Sequence, residues 1–222
     1  MPERPSFKNV LRTAASILGK TRGAAVTVWA FVALSYSVAD LTLEVPILGF
    51  VLGTLGLITL YLQLLLTSFA LWAEIPDYAF AARGPTKGRF PSAFLVSIIF
   101  SVGVLAGLVL LIIPGIILMA RWNLAYPILL AEDARAAGSL RRSWELTVSY
   151  SKLSIQVALI ELVAFAPAIG LSLLYPEYGR PNPALVLSTN GLFATASVFV
   201  WLLNVALYSL IRQPSEQPLA TA

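Results

Sequence analysis

Two ionisable residues inside apolar stretches, Arg121 and Glu161, are the strongest candidates for chemistry in this chain. A guanidinium keeps its proton, so at membrane depth Arg121 needs a partner or water. Ten residues separate Arg121 from the end of its apolar stretch near Ala131, and eight separate Glu161 from the start of the next one at Leu153, which is about 15 and 12 Å of helix. The two side chains are therefore predicted at similar depth on consecutive antiparallel spans, where they would form an intramembrane ion pair.

This pair has two interpretations. It could be part of a polar site for a substrate or proton, or it could fix the register of two helices. The second is favoured, because one pair without further ionisable groups is a poor relay. Other polar side chains inside the spans could face Arg121 and complete a polar pocket: Asn123, Gln156 and Gln63.

Catalysis has little support in the residue types. The chain contains no Cys and no His, which excludes thiol redox chemistry, histidine general bases and the common zinc sites. No tight Asp/Glu cluster, P-loop, dinucleotide-binding fingerprint or kinase signature occurs. We therefore expect no enzyme activity, metal or cofactor. The basic residues are explained by membrane topology, so nucleic acid is not an expected partner.

The composition is that of a membrane protein. Hydrophobic residues make up 58% of the chain and charged residues 12%, about half the charge of a soluble domain. The apolar runs are continuous, without the alternation of a β-barrel, which predicts an all-α bundle. We predict one membrane domain, residues 1–222, with six transmembrane helices: 23–39, 46–75, 91–113, 116–131, 153–175 and 184–211.

Prolines and glycines should shape these spans. Pro114 and Gly115 predict a break between the third and fourth spans, and Pro127 predicts a second interruption. The fourth span is therefore short and discontinuous, which is a common feature of transport sites. Two GxxxG patterns, Gly49–Gly53 and Gly103–Gly107, predict close helix packing. Packing within the chain is favoured, but packing between chains is an open alternative.

The distribution of positive charge predicts the orientation. Of the 15 Lys and Arg residues, all except Arg121 and Arg180 fall on the side of the membrane that holds the N-terminus. The positive-inside rule then places both termini in the cytoplasm. The polar region before the first span runs to Arg22, which is longer than in a signal peptide, so we expect an uncleaved first span.

Two segments outside the spans, 5–20 and 134–152, are amphipathic. In the second, Asp133 is a candidate N-cap. An apolar stripe faces a charged side; the stripe contains Ala137, Leu140, Trp144 and Val148, and the opposite side contains Arg141, Arg142, Glu145 and Ser149. Both segments could lie as interfacial helices in the cytoplasmic headgroup layer or rest on the protein's own bundle. The pattern does not choose between these alternatives.

A stretch of about 40 residues resembles a known family. It contains Leu-Ile-Ile-Pro-Gly-Ile-Ile-Leu (111–118), Ala-Arg-Trp (120–122), Ala-Tyr-Pro (125–127), Ala-Glu (131–132) and Ser-Leu-Arg-Arg-Ser-Trp-Glu-Leu-Thr (139–147). This pattern is similar to the membrane domain of bacterial glycerophosphoryl diester phosphodiesterases and related uncharacterised six-span inner-membrane proteins. The resemblance implies a six-helix architecture in the bacterial inner membrane. Family members with phosphodiesterase activity carry it in a separate soluble domain with metal-binding carboxylates and His, so that activity is not implied here.

These observations favour a non-catalytic, multi-pass protein of the bacterial inner membrane. We expect it to bind lipid, including anionic lipid, or a membrane protein partner. The alternative is a transporter or lipid-handling protein with a polar intramembrane site around Arg121. A third hypothesis, an enzyme acting on phospholipid headgroups, would need a carboxylate pair near the headgroup layer and a metal.

Overall fold

The computed structural model describes residues 5–42, 45–75, 88–175 and 182–212. In these ranges the regular secondary structure is entirely helical. The helices in chain order are α1 (Phe7–Thr42), α2 (Val45–Glu74), α3 (Phe90–Leu110), α4 (Ile112–Trp122), α5 (Ala125–Ala131), α6 (Ala136–Ser149), α7 (Ser151–Ser172) and α8 (Pro183–Ile211). Four basic residues used to predict the orientation lie outside the described residues: Arg4, Arg83, Lys87 and Arg180.

Six segments of the described chain are long and apolar enough to cross a membrane. They are α1, α2, α3, the pair α4 and α5, α7, and α8. Backbone N–H and C=O groups in hydrocarbon must form hydrogen bonds within the protein, and a helix forms these bonds within its own segment. The protein is therefore an all-α, multi-pass membrane protein, and the predicted six-span fold is confirmed.

Helix α1 differs from its predicted form. The segments 5–20 and 23–39 were expected as an interfacial helix followed by a span, but they form one helix of 36 residues. No proline separates them, and the buried face continues through the junction at Thr21 and Ala25. At 1.5 Å per residue α1 is about 54 Å long, so it extends well past a hydrocarbon core of about 30 Å.

Both predicted proline breaks occur, but each lies a few residues before its proline. Leu111 is extended, with φ −159° and ψ 127°, so the first break precedes Pro114. Similarly, the second break falls at Asn123–Leu124, before Pro127. Each proline is the third residue of its new helix, where a missing N–H costs no intrahelical bond. Its ring would clash with the carbonyl four residues earlier, which explains why the preceding helix ends there. By contrast, Pro167 lies inside α7, which continues past it.

Helices α3 and α4 form a tight hairpin. A Cβ atom added to Gly107 would lie 2.8 Å from Gly115 Cα, and one added to Gly103 would lie 2.5 Å from the Trp122 ring. The GxxxG pattern of α3 therefore packs within the chain. The pattern in α2 shows no such packing against the described residues, because Cβ atoms on Gly49 and Gly53 would meet none of their atoms within 4 Å.

Helix α8 forms the centre of the described bundle. It packs against α1 along one side and α7 along another, and α2 also contacts it. Polar bonds tie α1 to α8: Trp29 Nε1 donates to Thr195 Oγ1 at 2.9 Å, and Asn190 Nδ2 donates to Asp40 Oδ2 at 2.9 Å. Most of the other core residues around α8 are apolar, although α8 also buries Thr189 and Ser197.

Helix α6 packs with a face that hydropathy did not predict. Its buried residues include Ser139, Ser143 and Thr147. Three of the four residues of the predicted apolar stripe are exposed instead: Ala137, Trp144 by 40% and Val148 by 50%. The helix therefore rests on the bundle through hydroxyl groups and turns part of its apolar stripe outward. Asp133 is not its N-cap. Arg135 holds that position, and Asp133 pairs with Arg89.

Candidate functional site

The break between α4 and α5 is closed by the hydroxyl group of Ser143. This hydroxyl donates to the Arg121 carbonyl oxygen at 2.6 Å and accepts from the Leu124 backbone N–H at 3.2 Å. Thr147 Oγ1 lies 3.4 Å from the same carbonyl. The break frees backbone groups that hydrocarbon cannot satisfy, and these hydroxyl groups of α6 satisfy them. The packing of α6 through Ser and Thr follows from this requirement.

The Arg121 side chain reaches the start of α7. Its Nη2 atom donates to Ser151 Oγ at 2.9 Å, and its guanidinium carbon lies 5.8 Å from the centre of the Trp144 ring. Nη1 is buried and has no hydrogen-bond partner among the residues that the structure describes. Ser143, Trp144 and Thr147 all contact Arg121. The beginning and the end of the stretch that carries the family resemblance, residues 111–147, are therefore in contact with each other.

The predicted Arg121–Glu161 ion pair is not formed in the described part of the chain. Arg121 contacts Ser151, the first residue of α7, whereas Glu161 lies ten residues further along that helix, about 15 Å away along its axis. The prediction estimated the membrane depth of the two residues from their backbone positions and did not consider the direction of their side chains. A long arginine side chain can extend toward one end of its helix and leave a carboxylate at similar backbone depth unpaired.

Glu161 lies at the middle of α7 and is 2% exposed. The side-chain amides of Asn123 and Asn204 are the hydrogen-bonding groups beside its carboxyl. These three residues, which we call the Glu161 group, come from the α4–α5 break, α7 and α8. Sequence analysis placed Asn123 near Arg121 and identified Asn204 as a polar residue inside a span, but did not assign Asn204 to the polar pocket. The signal for Asn204 was its position as a polar residue within the sixth span.

The buried side-chain atoms without a hydrogen-bond partner, within the described ranges, are concentrated in this region. They are Arg121 Nη1, Asn123 Nδ2, Ser154 Oγ, Glu161 Oε1 and Asn204 Oδ1. All five belong to α4, its junction with α5, α7 or α8. Three of the five atoms belong to the Glu161 group. Buried polar atoms in proteins are nearly always paired, so this group is a candidate site.

The other two residues predicted for a polar pocket do not join the Glu161 group. Gln63 is half-buried on α2. Gln156 is exposed and lines a cleft of about 850 Å³ at the start of α1 and α7. We call this the Lys8–Lys152 cleft. Its walls are formed by Pro5, Ser6, Phe7, Lys8, Ser149, Tyr150, Ser151, Lys152, Leu153 and Gln156.

The charged residues of α6 form a network at the same end of the bundle. Arg142 Nε lies 3.3 Å from Glu132 Oε2, and Tyr208 Oη donates to Glu132 Oε1 at 3.1 Å. Arg141 Nε lies 3.0 Å from Glu145 Oε1. This network ties α6 to the end of α5 and to α8. Arg141, Arg142 and Glu145 therefore have structural partners within the chain.

The arrangement offers binding chemistry. No group of three or more His, Cys, Asp or Glu residues is placed to hold a metal in the described ranges. The Lys8–Lys152 cleft combines two ammonium groups with hydroxyl and amide groups, which suits an anion. The Glu161 group combines a carboxylate with amide groups in an apolar interior.

Comparison of the chain with protein-family models, with curated proteins and with solved structures found no match in any of the three.

Proposed function

We propose that this protein is a non-catalytic membrane protein that binds the headgroup of an anionic lipid in the Lys8–Lys152 cleft. The observation that carries the proposal is the composition of the cleft wall. Lys8 and Lys152 supply positive charge, and Ser149, Ser151 and Gln156 supply neutral hydrogen-bonding groups. Anionic headgroups attract basic residues near the membrane surface by about 1 kcal/mol each.

The lining of the cleft also suits a lipid better than a free anion. Phe7 and Leu153 line it beside the polar residues, so it offers apolar contact next to charge. Ser151 connects the wall to Arg121, which holds a further positive charge behind it. A phosphate group with an attached acyl chain would satisfy both kinds of surface.

The test uses the purified full-length protein in mild detergent, with phosphatidylglycerol and phosphatidylcholine as probes and native mass spectrometry as the readout. We expect phosphatidylglycerol to bind preferentially. Replacing Lys8 and Lys152 together by Gln should lower its affinity by about 30-fold, since two contributions of about 1 kcal/mol are lost. The matched control replaces Arg12 and Arg135 by Gln, which removes the same charge from positions outside the cleft. Equal loss in both double variants would contradict the proposal.

The location belongs to the same proposal: the bacterial inner membrane, with both termini cytoplasmic. The distribution of Lys and Arg and the family resemblance support it. Because the chain contains no Cys, single-Cys variants can be labelled directly with a membrane-impermeant maleimide. In spheroplasts, Thr42→Cys should be labelled and Ser6→Cys should not, since α1 begins near Ser6 and ends at Thr42. The reverse pattern would contradict the orientation.

A transporter is the second candidate, favoured by one observation. The broken span α4–α5 meets α7 at the buried Glu161 group, and discontinuous helices with polar residues at mid-membrane are typical of transport sites. A protein partner on the membrane-facing surface is compatible with either function. Uptake measured in vesicles containing the purified protein, with Glu161→Gln as the comparison, would separate transport from lipid binding alone.

A further inference from the structure

The Lys8–Lys152 cleft holds two positive charges that its own wall does not neutralise. Among the described residues that line it, none is Asp or Glu. Neither lysine forms an ion pair with a described residue, whereas Lys20, further along α1, pairs with Glu74 of α2. Two like charges that share a cleft repel each other unless an anion lies between them. A ligand that matches the cleft therefore carries two negative charges.

The two lysines belong to different helices. Lys8 lies in the first turn of α1, and Lys152 lies in the first turn of α7. Both side chains are exposed, so neither has to leave the protein core to reach a ligand. Each ammonium group can bind a phosphate oxygen by itself. This arrangement suits a ligand with two separate anionic groups better than a ligand with one doubly charged group.

The cleft also supplies more hydrogen-bond donors than one phosphodiester can accept. Ser149, Tyr150 and Gln156 line it beside the lysines, and none of these three side chains is bonded to another described residue. By contrast, Ser151 is engaged within the protein, since its hydroxyl accepts from Arg121 at 2.9 Å. The two ammonium groups and the three neutral donors together exceed the non-bridging oxygen atoms of a single phosphodiester.

The volume and the apolar part of the wall fit a large headgroup. The cleft has a volume of about 850 Å³, near the upper end of the roughly 300–1,000 Å³ that is usual for small-molecule sites. Pro5, Phe7 and Leu153 add apolar surface, which suits the glycerol backbone and the first methylene groups of acyl chains. A single phosphate group would occupy only part of this space.

We propose that the lipid bound in the Lys8–Lys152 cleft carries two phosphodiester groups, one held by each lysine. Cardiolipin has this chemistry, because a glycerol bridge joins its two phosphatidyl groups, and basic pockets between transmembrane helices bind such headgroups. This inference rests on the proposed function and names the class of lipid. Once the first phosphate is bound, the second binds at a high effective concentration, which raises the affinity about 100-fold above that for a lipid with one phosphate.

The experiment measures the Kd of the purified full-length protein in mild detergent for three lipids, with native mass spectrometry as the readout. The lipids are cardiolipin, phosphatidylglycerol and phosphatidic acid. We expect one cardiolipin to bind per protein, with a Kd about 100-fold lower than that for phosphatidylglycerol. Phosphatidic acid can carry a second negative charge on its single phosphate, but it should bind more weakly than cardiolipin because it has no second phosphate.

Two single variants, Lys8→Gln and Lys152→Gln, test the role of each lysine. Either substitution leaves one phosphate of cardiolipin without its ammonium group, so the preference for cardiolipin over phosphatidylglycerol should fall from about 100-fold to about onefold. Arg12→Gln is the matched control. It removes one positive charge from α1, one turn beyond Lys8, at a position outside the cleft wall, and it should keep the preference. All three side chains are exposed, so the variants should fold.

Three results would overturn the inference while the proposed binding of anionic lipid stands. They are equal Kd values for cardiolipin and phosphatidylglycerol in the wild-type protein, equal Kd values for cardiolipin and phosphatidic acid, and a preference for cardiolipin that both single-lysine variants retain. Failure of all three lipids to bind would instead overturn the proposed function, and this inference with it. The two failures are therefore distinguishable.

Discussion

Replacing Ser143 by Ala removes the hydroxyl that closes the α4–α5 break. Ser143 is fully buried, and its loss leaves the Leu124 N–H without the partner that lies 3.2 Å away. A buried donor left unpaired costs about 1–3 kcal/mol. The Arg121 carbonyl also loses its 2.6 Å bond but keeps Thr147 Oγ1 nearby, so we assign it little further cost and expect a total of about 2 kcal/mol.

The assay is thermal unfolding of the purified protein in detergent. For a chain of this size, 2 kcal/mol corresponds to a decrease in Tm of about 4–8 °C. The matched control is Ser139→Ala, one turn earlier on the same face of α6. Ser139 is equally buried, but its hydroxyl donates only to the Ala136 carbonyl of its own helix at 2.9 Å. That loss should cost less than about 1 kcal/mol.

The comparison between the two serines decides the result. If Ser143→Ala and Ser139→Ala lower Tm equally, the hydroxyl of Ser143 does not stabilise the break. Our account of why α6 packs through its hydroxyl groups would then be wrong.

Two further predictions concern helix packing. Gly107→Ala should destabilise the protein by about 2 kcal/mol or more, because its Cβ would lie 2.8 Å from Gly115 Cα, a backbone atom that cannot move aside easily. Gly53→Ala should be neutral or slightly stabilising, because its Cβ would meet no described atom within 4 Å. Unfolding curves of the two variants test this contrast. Trp144→Ala should cost about 1 kcal/mol through the lost contact with Arg121, whereas Trp144→Phe should retain most of it; equal Tm values for the two would argue against a contribution from the ring.

The span pattern could be predicted because hydropathy integrates over about 20 residues. The proline at position 114 predicted a break nearby but not its position at Leu111. A proline disrupts the helix on its N-terminal side, and tertiary packing then determines the residue at which that helix ends. The continuity of α1 was missed because Thr21 and Arg22 are polar. A continuous helix can carry polar residues where it emerges from the membrane, so these two residues did not mark the end of a helix.

The candidate site was harder to predict. Sequence analysis identified Arg121, Glu161 and Asn123 as exceptional residues, because charge and amide groups are rare in apolar spans. It could not assign their partners, which depend on the direction of a flexible side chain and on the rotation of each helix. Ser143 and Ser151 have no exceptional feature in the sequence, yet both contact Arg121. Asn204 required knowledge of which face α8 presents to α7.

The length of α1 has a mechanical consequence. A rod of 36 residues, about 54 Å long, moves one end by about 1 Å relative to the other for each degree of tilt. Phe7 and Lys8 lie at one end of α1 and would move with it, whereas Lys152 and Leu153 belong to α7. A thinner or thicker bilayer changes the tilt of long helices and would therefore widen or narrow the gap between these residues. The affinity of the proposed headgroup site would then vary with the thickness of the surrounding membrane.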